Sequence, residues 1–299
     1  MKQALSWPTS TLIALGVILF VDTVFTFDPS TGFLAGSAIG RYVVYALALG
    51  NIWLFSRSQV KASAKPLALS TVKTVFTLAS AASVFYSIAI VIFSAMGVES
   101  VPTGHHSTAF AQSLNAMADI ACAVLFMGMA VWFSVIGRKF LSGKDSVSPN
   151  VLLLSGAVIL VGPVLVLLRE AVFRSISSHR LSIVIPVLAM LFSVGFLIAL
   201  CRFLFTQGAD SARRLVFWGW SIFFFGVCLA LPQTLYFSTS QPYCMALVPQ
   251  VIFCAALGIL GACSAQWARC GLDIPAIPAP SPAAQENSEP QQEQAEEQT

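Results

Sequence analysis

Eight apolar runs of about twenty residues divide the chain, at 9–27, 32–55, 67–96, 110–136, 151–168, 181–205, 215–236 and 245–267. A run of that length held as a helix crosses a hydrocarbon core about 30 Å thick. Membrane barrels use strands of about ten residues that alternate apolar and polar positions, which this pattern does not do. The fold class it predicts is all-α, a polytopic transmembrane helix bundle of eight helices over residues 1–270. Met1-Lys2 followed by an apolar run also resembles a signal peptide, but no small-x-small cleavage site precedes Asp28. The first run is therefore read as a retained helix, with Pro8 in its first turn. Were it cleaved, seven helices would remain, in the topology of a heptahelical receptor.

The breaks between runs are short and polar. Asp28-Pro29-Ser30-Thr31 forms the first turn, and the second run opens with Gly36-x-x-x-Gly40, a spacing that allows close helix approach. Cations are distributed unevenly over these breaks. Twelve Lys and Arg fall on one side of the alternating topology and three, Arg169, Arg174 and Arg180, on the other. By the positive-inside rule both termini are cytosolic. Trp7, Trp53, Trp132, Trp218 and Trp267 lie toward the same ends of their runs, as expected of an interfacial aromatic belt.

Composition agrees with a bilayer protein: 10% charged and 57% hydrophobic residues with a mean hydropathy of +0.82, against about 25% charged in soluble domains. The net charge of +3 is divided between a basic body and an acidic tail. Residues 1–270 hold all 16 Lys and Arg and seven acids, whereas 271–299 hold six acids and no base. The basic body is explained by topology, so no nucleic-acid partner is expected. The tail, rich in Pro and then in Gln and Glu, has too little apolar surface to fold and reads as a disordered cytosolic segment.

A charge within hydrocarbon costs about 2.5–3.5 kcal/mol on insertion scales, so each requires a partner, a cavity or an interface. At about 1.5 Å per residue, Asp22 lies roughly 8 Å and Arg41 roughly 13 Å inside the outer ends of the first two runs. Asn115 and Asp119 are four apart and share a face of the fourth. Arg169 and Glu170 mark the end of the fifth, Gln233 occupies a similar level on the seventh, and Gln250 lies in the outer half of the eighth. These eight residues form an outer polar layer. It is either glue between helices, with Arg41 paired to Asp22 or Asp119, or the lining of a pocket open to the outer side for a ligand with a polar head and an apolar body.

Other chemistry is poorly represented. Cys122, Cys201, Cys228, Cys254 and Cys263 lie within apolar runs and read as small packing residues, and only Cys244 falls in a predicted outer loop. Cys270 beside Arg269 reads either as a palmitoylation site or as an unmodified juxtamembrane cysteine. His105-His106 has no spaced Cys or carboxylate partner, so no metal site is expected, and no cofactor motif is present. Phe217-Trp218-Gly219-Trp220 and Phe223-Phe224-Phe225 read as lipid contact and core. Asp22, Asp119 and Glu170 are buried acids of the kind a membrane-embedded lyase or cyclase would use. The Asp-Arg-Tyr and Asn-Pro-x-x-Tyr motifs of the common receptor class are missing.

At Arg169, Phe173 and Arg174 the chain resembles the fungal seven-helix proteins of the lipid-translocating exporter and sterol-analogue resistance type, which carry two Arg separated by an aromatic-containing turn near the end of a middle helix. Here the two Arg are five apart where that family has four, and Ser175-Ile176-Ser177 follows without the family's acid. The resemblance covers about six residues and implies handling of membrane lipid or amphiphile. Together these observations point to a non-enzymatic integral membrane protein of the plasma membrane or endomembranes. It contacts membrane lipid and moves or handles a small amphiphilic ligand.

Overall fold

A computed structural model describes residues 6–28, 33–35, 38–58, 67–96, 109–138, 149–173, 181–205, 208–270 and 272–273. Eight helices account for almost all of them: α1 Ser6–Thr26, α2 Ala38–Arg57, α3 Leu69–Ala95, α4 Ala109–Arg138, α5 Pro149–Phe173, α6 Leu181–Phe205, α7 Ala209–Ser240 and α8 Val248–Cys270. Seven are long and apolar enough to cross a membrane. The remaining one, α5, contains eighteen consecutive uncharged residues at 151–168, also a spanning length. The chain is a multi-pass, all-α integral membrane bundle.

Helix ends depart from the apolar runs for local reasons. Between α1 and α2, Phe27 pairs with Leu34 and Asp28 with Phe33 in a two-residue antiparallel ladder, so α2 starts at Ala38 and not at 32. Helix α5 continues past Leu168 to Phe173 because Arg169 and Glu170 are held inside the bundle. Helix α7 begins at Ala209, with Asp210, Arg213 and Arg214 exposed in its first turns. Its middle, Phe223–Ala230, is a π-helix that meets α1, α6 and α8. Cys244, expected in a loop, is wholly buried in a 3₁₀ turn, Pro242–Leu247, that leads into α8. None of the seven cysteines forms a disulfide.

Helix α8 is the most buried of the seven apolar spans and packs against α3, α6 and α7. The pairs α3–α4, α4–α5 and α5–α6 continue around it, and α1 and α2 lie outermost, against α7. Small residues set the closest approaches. A Cβ on Gly219 would stand 2.4 Å from the Gly261 carbonyl oxygen, and one on Gly261 would stand 2.7 Å from that of Gly219. About two turns deeper, a Cβ on Gly226 would meet the Cys254 carbonyl oxygen at 2.6 Å. Gly40 has nothing within 4 Å of such a position, and Gly36 lies outside the described residues. Gly40 is thus not a close-packing position, whereas Gly219 and Gly261 face each other on two helices. Between α3 and α4, Ser80 donates to the Ala130 carbonyl at 2.8 Å and shares a 2.9 Å hydrogen bond with Ser134, and Ser87 donates to the Ala123 carbonyl at 2.7 Å.

One end of the bundle is basic. Arg57, Lys73, Arg202, Arg213, Arg214 and Arg269 all lie in the first or last turns of α2, α3, α6, α7 and α8 there. Arg269 ties two of these ends together, donating to the Phe55 carbonyl at 3.3 Å and to Ser58 Oγ at 3.1 Å, with its guanidinium 3.9 Å from the centre of the Phe55 ring. Leu272 and Asp273 then pair in parallel with Leu67 and Ala68, so chain order extends two residues into the segment expected to be disordered. The rest of the tail, 274–299, lies outside the described residues. Trp53 is exposed at this end beneath the Arg57 guanidinium, as an interfacial residue would be. Trp132 is buried instead and packs against Phe133, so it does not belong to an aromatic belt. The Trp220, Phe224 and Phe225 side chains are core.

Candidate functional site

The end opposite the basic one holds the polar layer, and the structure divides it into two clusters. The first belongs to the α1–α2 hairpin. Arg41 Nε donates to Asp22 Oδ2 at 2.6 Å and Arg41 Nη2 to Thr26 Oγ1 at 2.7 Å. Asp22 and Thr26 sit four apart on one face of α1, and the short ladder after Thr26 returns the chain so that the first turn of α2 meets them. Of the two partners open to Arg41 in the sequence, Asp22 is therefore the one used. The Asp22 side chain keeps 41% of its exposure, and nothing from the second cluster is among these contacts.

The second cluster spans α4 and α5. Asn115, Asp119 and Cys122 follow one another at i, i+4 and i+7, a spacing that stacks them on a single face of α4. Arg169 of α5 lies along that face. Its Nε and Nη2 donate to Asn115 Oδ1 at 3.2 and 2.6 Å, and its Nη1 stands 2.8 Å from Asp119 Oδ1 and 3.9 Å from Cys122 Sγ. A guanidinium has five donors in a fixed plane, and here all three nitrogens are engaged by one helix. Arg169 and Asp119 are 5% and 4% exposed. Arg169 is thus an interior residue and not one of the loop cations that count toward topology.

Glu170 is one residue on, hence about 100° around α5, and is 1% exposed. It lines a small cavity where α5 meets α3 and α8, together with Arg169 and Gln250 on the polar side and Ala89, Ile90, Phe93 and Val166 on the apolar side. The cavity volume is about 10 Å³, at the lower limit for one water molecule. Gln250 is 3% exposed, and its Nε2 has no hydrogen-bond partner among the described residues. Tyr86 closes the cavity from α3 and belongs to an aromatic trio, 4.6 Å from Phe126 and 5.9 Å from Phe253 between ring centres, with Phe126 and Phe253 5.0 Å apart. These rings form a dry floor that separates the polar cluster from the remaining bundle.

Of the eight residues singled out in the sequence, the structure brings Asn115, Asp119 and Arg169 into direct contact and sets Glu170 and Gln250 beside them. Asp22 and Arg41 form their own pair. Gln233 is buried near the same end of α7 but does not line the cavity, and both its amide atoms lack a partner among the described residues. Sequence reasoning missed Cys122 and Tyr86. Cys122 was within reach, since it continues the i, i+4 series of Asn115 and Asp119, whereas nothing marks Tyr86 before α3 is placed against α8. Glu99, His105, His106, Arg174 and Arg180 lie outside the described residues. Among the described residues no group of His, Cys, Asp and Glu is arranged to hold a metal ion. Two of the three acids weighed for acid–base chemistry, Asp22 and Asp119, are engaged by arginines.

No family model, curated protein or solved structure matches the chain.

Proposed function

We propose that this membrane protein binds a small amphiphilic compound at the cavity between α3, α5 and α8 and carries it across, or partly across, the bilayer. The observation that carries this reading is the burial of Glu170 and Gln250 on a cavity whose other wall is aliphatic and aromatic. That combination is the lining an amphiphile requires, and ionisable residues inside membrane bundles typically mark ligand or ion paths. The distribution of cations, twelve to two once Arg169 is counted as interior, supports a cytosolic basic end and an outward-facing cavity. The similarity around Arg169 and Phe173 to fungal lipid-translocating proteins agrees with a substrate of this class.

A cavity of about 10 Å³ is an occluded state, so uptake requires one wall to move. Helix α5 provides the means. Pro163, six residues before Arg169, leaves the Ile159 carbonyl without its intrahelical donor and makes a pivot. The α5 segment beyond it carries Val166, Arg169 and Glu170. Swinging that segment about Pro163 enlarges the cavity while the lower half of α5 stays on α4 and α6.

Purified protein reconstituted in vesicles is expected to move a fluorescent short-chain amphiphile across the bilayer. Pro163→Ala restores the hydrogen bond and stiffens the pivot, so flux should fall about tenfold while equilibrium binding changes less than twofold. Absence of flux with the wild-type protein for amphiphiles of cationic, anionic and neutral head groups alike would remove the transport reading.

A further inference from the structure

The α1–α2 hairpin carries a charged pair on a face that meets lipid, and we infer that Asp22 and Arg41 together bind the head group of one phosphatidylethanolamine molecule in the adjoining leaflet. The site lies apart from the cavity between α3, α5 and α8 and stands whether or not that cavity takes a ligand.

Hydrogen bonding within the hairpin leaves part of the pair unanswered. Arg41 turns the Nε–Nη2 edge of its guanidinium inward, donating to Asp22 Oδ2 at 2.6 Å and to Thr26 Oγ1 at 2.7 Å. Its other edge, formed by Nη1 and Nη2, has no acceptor among the described residues. Asp22 Oδ1 has no donor among them either, and the Thr26 hydroxyl gives its own proton to the Asp22 carbonyl oxygen at 2.6 Å. Three N–H bonds of a cation thus stand beside one open oxygen of a carboxylate. An occupant that serves both carries an anionic acceptor and a cationic donor a few bonds apart. A phosphate takes a guanidinium edge through two parallel hydrogen bonds, and a primary ammonium donates to a carboxylate. Phosphoethanolamine has the two groups joined by two carbons. Phosphocholine has the same phosphate, but its quaternary nitrogen holds no hydrogen to donate.

Position supplies the tails. Ile18, Asp22 and Phe25 follow at i, i+4 and i+7 on one face of α1, and Ile18 is 62% and Phe25 84% exposed. The Asp22 side chain keeps 41% of its exposure on this apolar face and that of Arg41 keeps 9%, so the carboxylate is the open side of the site and the guanidinium edge the sheltered one. Beside Arg41, Ile39 and Val43 are exposed and a Cβ on Gly40 would meet nothing within 4 Å, which leaves room for a head group. Depth agrees as well. Asp22 comes four residues before the end of α1 and Arg41 three after the start of α2, about 5–6 Å along each axis. That is about the thickness of one head-group layer. A carboxylate half open to the bilayer requires a partner or an interface, and a bound head group provides both.

The test titrates the delipidated full chain in detergent with four dioleoyl lipids: phosphatidylethanolamine, its N-methyl and N,N-dimethyl forms, and phosphatidylcholine. Native mass spectrometry reads the saturable first lipid adduct. Affinity should fall stepwise along the series and about tenfold from first to last, the scale of one hydrogen bond to a charged group. Asp22→Asn keeps the side-chain shape and removes its charge. Phosphatidylethanolamine and phosphatidylcholine should then bind alike, while anionic phosphatidylglycerol, weaker than phosphatidylethanolamine on the wild type, should gain about tenfold from the uncompensated Arg41. Equal affinities across the series for the wild-type protein overturn the inference, and that arm decides alone if Asp22→Asn does not fold. A preference for phosphatidylethanolamine that persists in Asp22→Asn also overturns it, by placing the lipid elsewhere on the bundle.

Discussion

Arg169→Ala is expected to destabilise the bundle by about 3–5 kcal/mol, the cost of leaving a buried carboxylate without its cation. The Asp119 side chain is 6% exposed and paired to Arg169 Nη1 at 2.8 Å, so water has little access to replace what is lost. Asn115 Oδ1 would lose both of its donors from Arg169 in the same substitution. The informative comparison is the double variant Arg169→Met with Asp119→Leu. Removing both charges and filling their volume removes the desolvation cost together with the attraction, and such exchanges are often neutral or stabilising. Thermal unfolding in detergent should therefore rank wild type and the double variant close together, with each single variant well below. A double variant as unstable as Arg169→Ala would mean that the pair is held for geometry that hydrophobic residues cannot reproduce.

The second large effect lies at the α7–α8 crossing. A methyl group on Gly219 would overlap the Gly261 carbonyl oxygen at 2.4 Å, and the obstacle is backbone that no rotamer change can clear. Overpacking of this kind costs about 1–3 kcal/mol, and α8 is the helix around which the others assemble, so the loss is shared by α3 and α6. Gly219→Ala and Gly261→Ala should each lower the unfolding midpoint by several degrees. Gly40→Ala, where the space is open, should leave the midpoint unchanged or raise it slightly, since alanine is the better helix former by about 1 kcal/mol. Equal behaviour at Gly219 and Gly40 would contradict the packing described.

The count of helices was legible because each spanning run is long, nearly uncharged and bounded by polar residues. What hydropathy could not supply was pairing. Arg169 ended the fifth run on paper, yet α5 continues through it because Asn115 and Asp119, some fifty residues earlier, receive its charge. The same blindness left Arg41 with two partners, a choice decided by the short ladder between α1 and α2 that no apolar pattern encodes. The single polar layer read from depth along the helices is two clusters, because depth fixes a level and says nothing about azimuth. Glycine spacing along one helix is uninformative for a related reason. Gly36 and Gly40 satisfy a one-helix pattern, whereas the working contact joins Gly219 of α7 to Gly261 of α8 and is visible only once the helices are docked.

The separation into two clusters also sharpens the role of each residue. Asp22, Thr26 and Arg41 fasten the outermost hairpin to itself, a structural task suited to helices of which only 22% is buried. Asn115, Asp119 and Cys122 hold Arg169, and Arg169 in turn fixes the turn of α5 that presents Glu170. Glu170, Gln250 and Tyr86 line the cavity between α3, α5 and α8, and they are the residues proposed to meet a ligand directly.

Photolabelling addresses that claim most directly. A long-chain alcohol bearing a diazirine near its head, incorporated at low mole fraction with the full chain in nanodiscs and irradiated, should label peptides containing residues 86–93, 166–170 and 246–250. Excess unlabelled 1-dodecanol should suppress that labelling, and Glu170→Gln together with Gln250→Leu should reduce it several-fold. Labelling confined to side chains that face the lipid, such as Phe25, Leu47 and Val131, and unaffected by competitor or substitution, would contradict the account.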